Sequence, residues 1–229
     1  MAHLKMVARL EAATYAQSVQ RLRDTETESQ ALIGTSLSAL YQAGTCHRKC
    51  HGGPHIFEAL CGRTYNLGVG AYLLAQRGFY DEALNLTRSI GEVANLIALS
   101  VVDKEALKQW LNSDKKTRLK MFSPSAIRKA LEHQELKLVL ATDDWYSRFC
   151  ESYTHVTPQT KPNMHNTYGR AHVGGVYQEQ GLDAALGELA TVLTSVAMIV
   201  CRYFKFSDLF DEISTLLRSA RTEGADDES

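Results

Sequence analysis

The sequence predicts an all-α fold, a single helical bundle of about seven to nine helices. Three observations carry this. Apolar residues recur at helical spacing almost throughout, and no stretch alternates with the period of two that a strand needs. The four prolines, Pro54, Pro124, Pro158 and Pro162, fall at apparent element boundaries. One stretch, residues 79–103, is apolar on nearly every side and so belongs in the middle of a bundle.

In chain order, residues 3–22 place Leu4, Val7, Leu10, Ala13, Tyr15 and Val19 near helical spacing, with Lys5, Arg9, Glu11 and Arg21 opposite. Residues 23–29 are polar, a turn or a solvated continuation. Residues 30–42 form a second amphipathic helix through Leu32, Ile33, Leu37 and Leu40. The run GTCHRKCHGGP over 44–54 breaks the pattern, and Pro54 suits a first helical position. Residues 55–76 form the next helix, closed by Gly78 as a C-terminal cap. Asp81 and Glu82 then open the central helix, where carboxylates suit the positive end. A core hairpin therefore spans 55–103.

Residues 104–112 are amphipathic, anchored by Trp110 and Leu111, and 113–120 are basic and exposed. Ser123 and Pro124 start a helix running to about Leu140, and Asp143 and Asp144 cap another through Trp145, Phe149 and Tyr153. Residues 157–178 are polar and irregular, a length that in a compact domain points to function or mobility. The last core helix covers 182–204, and 206–220 form an amphipathic helix packed outside the bundle. With no repeat and no linker, residues 1–229 read as one domain. Within it, 1–43 are N-terminal amphipathic helices, 44–206 the core bundle, and 207–229 a C-terminal helix with an acidic tail.

Composition narrows the function. Hydrophobic residues make up 45% and charged residues 22%, which is ordinary for a globular protein, and the formal net charge is -1. No global basic field advertises nonspecific nucleic-acid or membrane binding. The five cysteines are odd in number, and Cys61 and Cys201 sit in apolar helical pattern, as expected of reduced thiols in a cytoplasmic protein. The N-terminus lacks an apolar core of signal-peptide length, and the longest uncharged apolar run, 189–201, is too short to span a bilayer. No membrane partner is expected.

Four groups of polar residues invite a chemical reading. Arg88 and Glu92 lie four apart and share one face of the apolar central helix. They either line an internal polar site or fix the helix in register, since desolvation makes a buried pair a poor device for stability alone. The segment CHRKCHGGPH offers Cys46, Cys50, His51 and His55 as zinc ligands, although the spacing C-x3-C lacks the second pair of a zinc ribbon. Arg148 and His155 are seven residues apart, about two helical turns, which would put both on one face. Arg could bind a phosphate and His act as a general base. Arg48 and His55 show the same spacing by chance. Finally His165, Tyr168, Arg170 and His172 sit near Gly174 and Gly175 in the irregular segment, where they could close over a ligand or be solvated. There is no phosphate-binding glycine loop, nucleophile elbow or HExxH motif.

The hairpin GVGAYLLAQRGFYDEALNLTRSIGEVANLIAL resembles a family of uncharacterised bacterial helical proteins. The shared pattern Ala-Leu-x-Leu-x-Arg-Ser-x-x-Glu falls on Ala83, Leu84, Leu86, Arg88, Ser89 and Glu92. A second island, YSRFCESYTH, supplies Tyr146, Ser152 and His155. That family is similar in turn to HEPN-like helical bundles. Many of these are dimeric, metal-independent ribonucleases of toxin–antitoxin or phage-defence systems, with an Arg, then four to six residues, then a His, a spacing that Arg148 and His155 match at its longest. The resemblance implies Arg148 and His155 as catalytic residues, with Arg88, Glu92, Tyr153 and His172 binding or orienting the substrate. It also implies a homodimer, and RNA or a protein as partner. The residue after Arg148 is Phe149, where HEPN nucleases commonly carry a polar one. That favours a non-enzymatic interaction or sensor module over a ribonuclease.

Overall fold

A computed structural model describes residues 1–25, 27–50, 52, 55–134, 138–158, 160–164 and 170–226. Among them the fold is all-helical, with ten α-helices. These are α1 (Ala2–Asp24), α2 (Glu28–Gly44), α3 (Ile56–Gln76), α4 (Tyr80–Val102), α5 (Lys104–Asn112), α6 (Lys115–Met121), α7 (Pro124–Glu132), α8 (Asp143–Phe149), α9 (Glu179–Phe204) and α10 (Ser207–Asp226). A π-helical turn, Cys150–Thr154, follows α8.

Helices α2, α3, α4 and α9 form a four-helix core, each packed on two or more of the others. Its centre is filled by Leu40, Ala71, Leu84, Ile90, Ile97, Leu186 and Leu193, all essentially without solvent contact. Helix α10 covers α2 and α9, and α5, α7 and α8 lie along α4. Helix α9 is long and apolar enough to cross a membrane, but 67% of its apolar stretch is buried by its neighbours. It is the inner wall of the bundle.

The α3–α4 corner is built as its sequence requires. Gly78 takes φ 76°, the left-handed region where a side chain would be strained. Its N–H donates to Ala75 O at 3.0 Å and that of Phe79 to Leu74 O at 3.0 Å, closing the carbonyl end of α3. The polar stretch after α1 resolves as a turn, because Thr27 and Gln30 cap α2 reciprocally through side chain and backbone.

Several expectations need correction. The helix count is ten rather than seven to nine, because the chain from 103 to 132 breaks into three short helices, each with its own side-chain cap. Asp103 accepts from Glu105 and Ala106, Asp114 from Thr117, and Ser123 from Ala126. The basic stretch is therefore itself helical, as α6, and Leu111 is exposed rather than an anchor. The helix from Pro124 ends at Glu132 rather than near Leu140. Asn95 of α4 accounts for this, by taking the backbone N–H of Leu140 (2.9 Å) and Ala141 (3.1 Å) and donating to Ala141 O (2.9 Å). Thr142, not Asp143 or Asp144, caps α8. The placement expected for Pro54 lies outside the described residues.

Candidate functional site

The connection between α2 and α3 gathers soft and borderline ligands at one point. Helix α2 ends hard against α3: a Cβ on Gly44 would lie 2.8 Å from Gly62 Cα. That close approach delivers the following residues to the start of α3. Cys46 (φ 54°) and His55 (φ 50°) both adopt the left-handed conformation, which costs a non-glycine residue about 1–3 kcal/mol. The result is a convergence. His55 Nδ1 lies 3.6 Å from Cys46 Sγ and 4.0 Å from Cys50 Sγ. The ligand atoms of all three residues fall within 4.8 Å of one another.

A fourth donor is present that the cysteine spacing did not suggest. Glu58 Oε1 is 3.9 Å from His55 Nδ1, and the Glu58 side chain is only 6% exposed. A carboxylate that buried calls for a positive or hydrogen-bonding partner. Its signal was in the sequence: Glu58 is three residues after His55, on the same side of the first turn of α3. His51 lies outside the described residues.

These distances fit a metal ion. Zinc bonds of about 2.3 Å to sulfur and 2.0–2.1 Å to nitrogen, at tetrahedral angles, separate S and N by about 3.6 Å and N and O by about 3.4 Å. The three measured separations lie at or a few tenths of an ångström above those edges. The Gly52 N–H donates to Cys50 Sγ at 3.4 Å, the kind of outer contact that orients a ligand sulfur. Partial burial, then the Cys50 thiol and the Glu58 carboxylate, push the Cys46 thiol up. Groups that resist charging together are what a divalent cation reverses.

No family model, curated protein or solved structure matches this chain.

Arg48 lies between the two cysteines and points away from them. Its Nη1 and Nη2 donate to Asp208 Oδ1 and Oδ2 at 2.5 and 2.6 Å, a bidentate pair with the first turn of α10. Its guanidinium also sits 5.4 Å over the Phe206 ring. Arg48 in turn holds the Asp208 carboxyl below its ordinary range.

Arg88 and Glu92 of α4 meet a third group. Arg88 Nη1 donates to Glu92 Oε1 (2.7 Å) and to the Tyr146 hydroxyl (2.6 Å), which itself donates to Glu92 Oε1 (2.7 Å). The Tyr146 ring lies under two guanidinium groups, Arg88 at 5.0 Å and Arg128 at 4.4 Å. Arg128, 4% exposed, pairs with Asp143. This polar network pins α8 to α4, and within it the buried Arg88 Nε has no hydrogen-bond partner among the described residues.

The remaining candidates do not join it. Arg148 donates to Glu188 Oε1 of α9 at 2.7 Å, beside Trp145 Nε1, which donates to Glu188 Oε2 at 3.0 Å. The Arg148–His155 spacing is not two α-helical turns. The chain turns π-helical after Phe149, closed by the His155 N–H to Cys150 O bond of 2.8 Å, and His155 continues in extended conformation. The premise that both side chains share a helix face is thus overturned. His155 is exposed, and its ring makes no hydrogen bond or ion pair with the described residues. Tyr153 packs edge-on against Phe149 at 5.4 Å, with its phenol pushed up by burial and then by Asp81. His172 is half-buried in the irregular segment, its backbone N–H donating to Pro162 O at 2.9 Å. His165 and Tyr168 lie outside the described residues.

Proposed function

We propose that this chain is a non-catalytic helical module that carries a zinc ion between α2 and α3. One observation carries the reading: Cys46, Cys50 and His55 bring their ligand atoms within 4.8 Å, with the buried Glu58 carboxylate beside them. Two thiolates and one imidazole suit zinc among the common divalent ions. Bound there, zinc would hold the chain ends of α2 and α3 together through Cys46, Cys50 and His55, with the Glu58 carboxylate near His55.

The non-catalytic part rests on the placement of Arg148 and His155. The chain leaves the α-helix through a π-turn after Phe149, so the two side chains are not set on one helix face, and the partly exposed Arg148 guanidinium is engaged by Glu188. The RNase reading keeps a direct check. RNA cleavage in EDTA by wild type and by His155→Ala should be equally absent; cleavage by wild type alone reinstates the enzyme.

Metal analysis tests the zinc centre. One zinc per chain is expected after purification in zinc-supplemented buffer, falling well below half in Cys46→Ser and Cys50→Ser. Cobalt substitution should give the intense visible bands of a tetrahedral thiolate site. Sub-stoichiometric zinc in wild type, or full zinc in both serine variants, removes the reading.

A further inference from the structure

We propose that metal at this centre controls the docking of α10, with Arg48 as the positioning residue that couples the two. The inference rests on the zinc reading above.

The starting point is how little else holds the connection. Backbone hydrogen bonds continue α2 through Thr45, Cys46 and His47, onto Tyr41, Ala43 and Gln42. Between Arg48 and His55, among the described residues, two kinds of bond remain besides the contacts of His55 with Cys46, Cys50 and Glu58 and the Ala59 N–H to His55 O bond that opens α3. One is the Gly52 N–H to Cys50 Sγ, itself a bond to a ligand atom. The other is the Arg48 fork on Asp208. His55 does not cap α3 with its side chain, and it and Cys46 are both left-handed without being glycine. A backbone in that shape needs a compensating tie. Ligation of Cys46, Cys50 and His55 to one ion would supply it; the hydrogen bonds of the described residues here are few.

Arg48 is two residues from each cysteine ligand. Its direction is therefore set by the same backbone that the metal would fix. It reaches the corner between α9 and α10, where Phe206 is 3% exposed and its N–H closes α9 onto Cys201 O at 2.9 Å. Asp208 in the first turn of α10 receives the fork. Beyond it, Leu209 and Ile213 turn their side chains into the core. A second polar tie, Thr35 Oγ1 to Glu212 Oε1 at 2.8 Å, fastens α10 to α2 without involving the connection. Helix α10 thus has one polar tie that metal would govern and others that it would not: Thr35, with Arg202 over the Phe210 ring at 5.2 Å and Ser214 Oγ to Met198 Sδ at 4.0 Å. Removing the ion frees the connection, withdraws Arg48 and loosens α10 from its N-terminal end, while Thr35 and the apolar face keep it nearby. Loading state would then be read out on the outer helix of the bundle.

Amide hydrogen exchange across α10, on zinc-loaded and chelated full-length protein, tests this, with zinc stoichiometry measured on each sample. In wild type, chelation should speed exchange of residues 208–216 about fivefold, the scale of one partly exposed ion pair. The α9 amides serve as internal reference and should not change. Arg48→Ala should bind one zinc and exchange at the fast rate with or without it. Thr35→Val should speed α10 in both states while keeping the zinc-dependent difference. The coupling is overturned if zinc binds stoichiometrically and α10 exchange is unmoved by chelation. It is equally overturned if Arg48→Ala retains the difference, or if α9 speeds up as much as α10. Absence of zinc from every sample instead overturns the zinc reading itself, and the metal assay separates that outcome from the others.

Discussion

The Tyr146 hydroxyl donates a 2.7 Å hydrogen bond to Glu92, joining the first turns of α8 to the middle of α4. The same oxygen accepts from Arg88 at 2.6 Å. The central helix therefore tolerates its two charges in part because a phenol from another element bonds both, though the buried Arg88 Nε is left without a partner among the described residues. Burial, and then the neighbouring Glu92, push that phenol up, so it stays a donor at any physiological pH.

Tyr146→Phe keeps the ring under Arg88 and Arg128 and removes only the hydroxyl. Hydrogen bonds to charged partners contribute about 1.5–3 kcal/mol, and for a chain of this size that is roughly 3–12 °C in Tm. Thermal unfolding followed by circular dichroism should show a drop in that range. A Tm within one degree of wild type would mean that the hydroxyl is merely solvated.

Asn95 is a second polar residue on α4, 2% exposed, with three bonds to the backbone of Leu140 and Ala141. Asn95→Ala leaves three backbone groups without their partner in a place water reaches poorly. At about 1–3 kcal/mol for each group left unsatisfied, a loss of at least about 3 kcal/mol is expected in urea unfolding. The segment before α8 should also become protease-sensitive. Retained stability with intact protease resistance would show that the segment is held by its apolar contacts alone.

The contrast between Arg88 and Asn95 marks what the sequence discloses. Helix α4 was legible to within one residue at either end, because its apolar period and its opening carboxylates are local signals. So was the glycine closing α3. Asn95 reads as one polar residue in an apolar helix, and nothing near it names a partner 46 positions away. For that reason the helix from Pro124 looked longer than it is. The candidate ligands Cys46, Cys50 and His55 were legible by type but not by convergence, since two left-handed residues bring them together. Glu58 lies outside the cysteine spacing that points to a metal. The π-turn after Phe149, which alters where His155 goes, has no sequence signature in this chain.

Gly91 faces α8 closely. A Cβ there would lie 2.8 Å from Trp145 Cζ3 and 2.9 Å from the Ala141 Cβ. Replacing glycine by alanine inside a helix should gain up to about 1 kcal/mol from propensity, whereas overpacking costs about 1–3 kcal/mol. Since Trp145 is also held by Phe149 (4.1 Å, stacked) and by Glu188, it cannot move away cheaply, and the packing cost wins. Gly91→Ala should lower stability and shift the Trp145 fluorescence. A more stable variant with unchanged fluorescence would show that Trp145 yields without penalty.

Stability should decline at alkaline pH, and buried phenols and thiols set the window, Tyr80, Cys201 and Cys61 foremost; burial pushes the Cys61 thiol up from 9.0 as well. Tyr80 has no solvent exposure; it donates to Gln178 O at 3.1 Å and accepts from Gln178 N at 2.9 Å. Burial pushes its phenol from 10.0 up to about 12. Burial, and then Asp208, push the Cys201 thiol from 9.0 up to about 12. These folded values exceed the unfolded ones, so their contribution is fully present below pH 9. As pH rises from 9 to 12 the unfolded chain gives up protons that the fold retains, and stability falls by up to about 1.4 kcal/mol per pH unit per group. Urea midpoints at pH 8, 9.5 and 11 should therefore fall progressively. Cys201→Ala should lessen the early part of the decline, between pH 9 and 10, leaving the share that Cys61 contributes, and should not change the later part. An unchanged midpoint from pH 8 to 11 would show that none of these groups is held neutral by the fold.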